Sequence, residues 1–254
     1  MPKIILSAQN FNIYQGDNLS PHARTGDTSP EQLVNAGAQG VIIGHSEVGD
    51  SSEIIHLKLK TIAAQKLLPQ STVLLGESWD EFENKTESKV AEVISQKTTQ
   101  IFKGIPTSFL KNLIVGYEPK WGSRGSGRDD MPPPSAKLVS ACAKAIKQQL
   151  PPSISIIYGG RSTPERTEQI LADNNVVGLI LGSACNTIAK TLAIAEAMQK
   201  VKPKQTKILH ANFKAYPLTD SYEQYLTELK KLDNSFIIYL SPPHTDLFKL
   251  SQLL

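Results

Sequence analysis

Cysteine is scarce in this chain. Cys142 and Cys185 are its two copies in 254 residues, they lie far apart, and no CxxC pair exists. That spacing argues against a zinc knuckle or a disulfide framework and fits a reducing, cytoplasmic setting. Long apolar runs are missing as well. The opening MPKIILSAQN is too short and too weakly charged for a signal peptide, and no run approaches the roughly 20 apolar residues of a membrane span, so no membrane partner is expected. Charge of one sign is lacking too: 27 Lys and Arg against 24 Asp and Glu leave a net +3. The basic residues are spread out, which gives no reason to expect nucleic acid, although a mild positive bias suits a small anionic substrate. No low-complexity block or linker divides residues 1–254, so a single domain is expected. Val201–Thr206, VKPKQT, is polar and contains a proline, but its length is ordinary for a helix-to-strand connection.

What is present is a rhythm. Short β-rich runs recur at Ile4–Ala8, Gly40–Gly44, Thr72–Gly76, Leu113–Tyr117, Ile154–Tyr158, Val177–Gly182, Lys207–Ala211 and Phe236–Leu240. Segments of helical period lie between them. Thr86–Phe102 puts Val90, Val93, Ile94 and Ile101 on one face, and Ser135–Leu150 does the same with Leu138, Ala141, Ala145 and Leu150. Pro30, Pro134 and Pro164 read as residues just inside helix starts, where a missing N–H is harmless; Ser29 and Thr163 are plausible caps for two of them. Eight strands alternating with helices in about 250 residues is the count of an α/β (β/α)8 barrel, the TIM barrel. An open doubly wound sheet is the alternative, and it would want a GxGxxG after the first strand, which is absent.

In a barrel of this kind the chemistry sits where strands end. The clearest such place is Leu113–Arg128, LIVGYEPKWGSRGSGR. A buried strand delivers Glu118, Pro119 fixes the chain direction behind it, and Gly122, Gly125 and Gly127 give a hinged loop. A carboxylate on a rigid base under a closing lid suits a general base, though a strand-end Glu paired with a surface Lys is the plainer reading of this stretch alone. Other strand ends supply Gln9 and Asn10, His45, Ser46 and Glu47, Glu77, Gly159 and Gly160, Gly182 and Ser183, and Asn212 and Lys214. Two glycine turns next to helix starts offer backbone N–H groups for a phosphate. The set lacks the several carboxylates and histidines of a metal site, and one Lys is thin support for pyridoxal phosphate, so neither metal nor cofactor is expected.

These residues resemble triosephosphate isomerase. SAQN (7–10), VIIGHSE (41–47), LLGES (74–78), YEPKWG (117–122), YGGRSTPE (158–165) and LILGSA (179–184) follow the family's order. The family's opening strand with its Asn-x-Lys stands near the end instead, as HANFKAY (210–216), followed by SYEQYLTELKKLD (221–233) and SPPHTDL (241–247). The resemblance therefore implies a circular permutation. Residues 1–200 are similar to the family's strands 3 to 8, residues 201–206 form a bridge, and residues 207–254 are similar to its strands 1 and 2. A closed barrel has no privileged first strand, and joining nearby termini at the surface is well tolerated.

By that resemblance Glu118 is the base that moves a proton between adjacent carbons of a phosphorylated triose. His45 is the electrophile on the carbonyl, and the resemblance implies a neutral imidazole in this role beside the Glu base. Lys214 stabilises the enediolate, Asn212 orients an oxygen, and Glu47 pairs with Lys214 or holds the backbone. Gly125, Arg161, Gly182 and Ser183 hold the phosphate on a turn shaped by Gly159 and Gly160. The chain also departs from the pattern. Arg161 replaces a serine, Ser183 replaces a glycine, and the lid PKWGSRGSGR is one residue longer, with Ser123 and Arg124 where an apolar cover is usual. A wetter lid predicts weaker catalysis, so a barrel that has lost isomerase activity and an isomerase of another small phosphosugar stand as alternatives. The family implies a homodimer, whereas the lengthened Phe11–Ser29 loop, with Asp27 after Thr25-Gly26, and Val48 in place of an arginine leave a monomer open.

Overall fold

The computed structural model describes residues 1–13, 25–123, 125–202 and 205–254. Eight strands run β1 (Lys3–Ala8), β2 (Gly40–Ile43), β3 (Thr72–Leu75), β4 (Ile114–Tyr117), β5 (Ser155–Gly159), β6 (Gly178–Leu181), β7 (Lys207–Asn212) and β8 (Phe236–Ser241). Each pairs in parallel with its sequence neighbour. The ring closes where β8 meets β1, with Lys3 opposite Ile237 and Leu6 opposite Leu240. The fold is the α/β TIM barrel that the eightfold rhythm implied.

Each strand is followed by a main helix: α1 (Pro30–Asn35), α2 (Ser52–Gln65), α3 (Glu87–Phe102), α4 (Ala136–Gln149), α5 (Pro164–Leu171), α6 (Ile188–Val201), α7 (Tyr222–Leu229) and α8 (His244–Ser251). The local reason for most starts is a hydroxyl cap. Ser29, Ser51, Thr86, Ser135, Thr163, Thr187 and Ser221 each accept a backbone N–H from the first turn. Pro30 and Pro164 are first helical residues, as read. Pro134 is not. Ser135 caps α4 by accepting from Leu138 N–H at 3.0 Å, which leaves Pro134 outside the helix. Val93 and Ala141, read as facing the core, are half-buried at the edges of their stripes.

The core has two layers. Inside the barrel, Ile5, Ile42, Leu74, Ile114, Ile157, Ile180, Ile208 and Tyr239 supply one side chain per strand. Outside it, the alternate strand residues pack against the helices; Val73, Val115, Ile156 and Leu209 meet Ile62, Ile94, Ile146 and Met198 in one continuous cluster. This rigid wall fixes where the strand ends lie. Cys142 and Cys185 are buried free thiols, both pushed up to about 12 by burial. No helix among the described residues is long and apolar enough to cross a membrane. Most of the Phe11–Ser29 loop, the lid residue Arg124 and the centre of the Val201–Thr206 bridge lie outside the described residues.

Candidate active site

The β3–β4 ladder runs on past the strand ends and carries Glu118 to the rim. Glu118 N–H donates to Leu75 O at 2.8 Å, and Lys120 N–H donates to Glu77 O at 3.0 Å. The Glu118 carboxylate is 5% exposed. It accepts from Ser46 N–H and Ser46 Oγ, each at 3.0 Å, and from Ser123 Oγ at 3.2 Å. Its Oε1 lies 3.6 Å from His45 Nε2. On the other side of that ring, Glu47 N–H donates to Nδ1 at 3.1 Å. An accepting Nδ1 puts the ring proton on Nε2, the nitrogen that faces Glu118.

Lys214 reaches the same place from beyond β7. Its backbone is left-handed, with φ at +50°. Asn212 Oδ1 accepts Lys214 N–H at 3.1 Å, and Gln9 Nε2 donates to Lys214 O at 2.9 Å, so side chains on both sides hold that uncommon conformation. Lys214 Nζ is ion-paired with Glu47 Oε1 at 2.5 Å, which is one of the two roles read for Glu47. The lysine stem crosses Gly182 closely: a Cβ built there would lie 2.9 Å from Lys214 Cε. A side chain at Gly182 would push the lysine stem aside. A side chain at Gly159 would likewise crowd the base, since its Cβ would come within 3.1 Å of Glu118 Cβ.

A cavity of about 410 Å³ joins these groups, lined by His45, Glu118, Asn212 and Lys214 on one wall and by Gly160, Arg161, Gly182 and Ser183 on the other. That size suits a small ligand. Ser183, which stands where the family pattern has a glycine, lies outside the left-handed region. Gly125 is not brought to this wall. Its N–H is taken by the Asp129 carboxylate, at 3.0 and 3.2 Å. Arg161 lines the cavity, but its Nη1 and Nη2 donate to Asp129 O at 3.0 Å and Met131 O at 2.6 Å.

Beneath the lid, Glu77 accepts from Trp121 Nε1 at 2.8 Å and Tyr117 OH at 3.1 Å. Burial raises the Glu77 carboxyl above its ordinary range, and its Oε2 has no partner among the described residues. Several of these contacts were not assigned from the sequence. Ser46, Gln9 and Glu77 stood among the strand-end residues without a role, and only their place next to His45, Asn10 and the lid hinted at one. Asp129 gave no sign at all.

The sequence of this chain matches the family model for triosephosphate isomerase over residues 2–198. The chain belongs to the triosephosphate isomerase family. Family members similar to it include the triosephosphate isomerase of Mycoplasmoides gallisepticum, 34% identical over 187 residues, which are 69% of this chain and 70% of that protein. Those of Aster yellows witches'-broom phytoplasma and Onion yellows phytoplasma are 32% and 31% identical, over 73% and 80% of this chain and 68% and 73% of theirs. Membership of the triosephosphate isomerase family makes the chain an isomerase. His45, Glu118, Gly159, Gly160 and Gly182 all fall inside the matched span, whereas Asn212 and Lys214 fall beyond it.

Proposed function

We propose that this isomerase interconverts dihydroxyacetone phosphate and D-glyceraldehyde 3-phosphate, with Glu118 as the base. Its carboxylate takes a proton from the carbon next to the carbonyl and returns it to the neighbouring carbon. To do so it exchanges the Ser46 hydrogen bonds for the substrate. His45 Nε2–H donates to the carbonyl oxygen, where negative charge develops as the enediolate forms, and the proton of the neighbouring hydroxyl passes to that oxygen to complete the exchange. The Lys214 ammonium, held by Glu47, faces that charge and the phosphate. Asn212 works through Lys214, as a positioning residue for its backbone. The phosphate dianion sits against the turns at Gly159–Arg161 and Gly182–Ser183. The observation that carries this reading is the 3.6 Å approach of His45 Nε2 to Glu118 Oε1 in a cavity that Lys214 also lines.

The order of the units follows the same reading: residues 1–200 correspond to the family's third to eighth strands and residues 207–254 to its first two. Two points support it. The family match ends at residue 198, within α6, and leaves residues 207–254 outside it, while 30% and 32% of the length of two matched relatives stays unaligned. The Asn-x-Lys of the opening strand recurs at Asn212 and Lys214, on the rim beside His45.

A coupled assay with glyceraldehyde 3-phosphate, run beside calorimetry with phosphoglycolate, tests the function. Glu118→Gln is expected to fold normally and to lose roughly 10²–10⁴-fold in turnover. A variant close to the wild-type rate removes Glu118 as the base.

A further inference from the structure

Two arginines tie the phosphate turn to the outgoing arm of the lid. Besides the Arg161 contacts to Asp129 O and Met131 O, Arg166 Nη2 donates to Pro134 O at 2.9 Å and Arg166 Nε donates to Arg161 O at 3.1 Å. Carbonyls 129 and 131 are thus held from the β5–α5 turn, and carbonyl 134 from the first turn of α5. The Arg161 Nε–H is buried and has no hydrogen-bond partner among the described residues, in a residue that lines the cavity. A buried donor left unpaired is costly, so an acceptor brought to this nitrogen would be stabilising.

The lid tip carries the complementary feature. Gly125 N–H, a left-handed glycine amide at φ +78°, is covered by the carboxylate of Asp129. Both carboxylate oxygens lie within 3.2 Å of it. An anionic, two-oxygen acceptor on a lid amide is the chemistry that a phosphate would present.

We propose that Asp129 occupies the lid amide in place of the substrate phosphate, and that Arg161 is the positioning residue that passes phosphate occupancy on to the lid. When the dianion seats on the 159–161 turn, the Arg161 Nε–H gains its acceptor. Gly125 N–H leaves the Asp129 carboxylate for a phosphate oxygen, while the carbonyl of Asp129 stays on Nη1 as a fixed hinge point. This inference rests on the phosphate site read above.

The test uses the full chain and four readouts: kcat and KM for glyceraldehyde 3-phosphate, the inhibition constant of phosphoglycolate, and the rate with unphosphorylated glyceraldehyde. Asp129→Ala removes the competing acceptor and keeps the backbone carbonyl, so phosphoglycolate is expected to bind about threefold to tenfold more tightly. Arg161→Gln is expected to weaken phosphoglycolate and raise KM about tenfold, with a larger loss on the phosphorylated substrate than on glyceraldehyde. Arg161→Lys keeps the charge without the fork and should recover only part of this. Damage to the fold alone would weaken binding in both variants. An unchanged or weaker inhibitor constant in Asp129→Ala therefore overturns the role of the carboxylate, and equal losses on both substrates in Arg161→Gln overturn the coupling. A wild-type chain with neither turnover nor phosphoglycolate binding would instead remove the phosphate site itself.

Discussion

His210 is a histidine where the barrel interior is otherwise mostly aliphatic. It is fully buried on β7, with Nε2 2.8 Å from Ser241 Oγ, Nδ1 3.2 Å from Thr72 Oγ1, and its ring 5.2 Å from that of Tyr239. Burial, with a smaller contribution from His45 nearby, lowers its pKa to about 3. In the unfolded chain a histidine takes its proton near 6.5. Between these two values the unfolded state binds the extra proton. The neutral ring's contribution to stability is therefore complete above about pH 6.5 and is lost as the pH falls toward 3, with a slope of up to ~1.4 kcal/mol per pH unit. His210→Gln is expected to flatten the stability profile over that window, whatever it does at neutral pH. Denaturant midpoints at pH 7 and pH 4.5 check this, and an equal acid loss in variant and wild type would assign the acid sensitivity elsewhere. At this scale the sequence was partly legible. Glu118, His45, Lys214 and Glu47 could be named because strand ends and short motifs mark them. Ser46 and Gln9 could not be given roles, since a hydrogen bond across 72 or 205 residues leaves no local pattern.

Among the elements, α2 does more than cover the sheet. Its Lys58 is nearly buried, and Nζ reaches Asp50 Oδ2 at 2.7 Å and Asn10 Oδ1 at 2.8 Å. One cation on a helix thereby joins the segment after β1 to the segment after β2, the one that begins with His45, Ser46 and Glu47. Lys58→Met would leave the Asp50 carboxylate buried and unpaired, a change that typically costs about 3–5 kcal/mol. Thermal or denaturant unfolding should show that loss. Adding Asp50→Asn should recover part of it; no recovery would mean that Lys58 acts through packing on Phe11, whose ring centre lies 5.9 Å from Nζ. The elements themselves were easy to read. Every expected strand lies within one residue of the observed one at each end, because runs of β-branched residues and hydroxyl caps are local signals. The lid was harder. Its glycines announced a loop, but the Asp129 contact that organises it follows from no spacing rule.

For the molecule as a whole, sequence reading gave the eightfold barrel from periodicity alone, because the alternation of strand and helix extends over the whole chain. Association is a finer matter. Val48 is 42% exposed beside Glu47. The base of the long loop is closed on itself, with Asn12 N–H donating to Thr28 O at 2.9 Å and Thr28 N–H to Asn12 Oδ1 at 3.3 Å. We expect a monomer at micromolar concentration, read by analytical ultracentrifugation. A single species of twice the mass would mean that the loop docks on a second copy after all.

The contact between β8 and β1 has a consequence for the ribosome. When synthesis has passed Val201, six strands exist, and β1 and β6 are both open parallel edges. The interior row still lacks Ile208 and Tyr239. Asn212 and Lys214, which complete the rim, have not yet been made. At the usual pace of translation β7 and β8 follow on the order of seconds later, and until then the unfinished sheet offers two edges to any neighbouring chain. Until Asn212 and Lys214 emerge, the cavity lacks two of the groups that line it. Crowded polysomes are a condition under which those edges meet other chains.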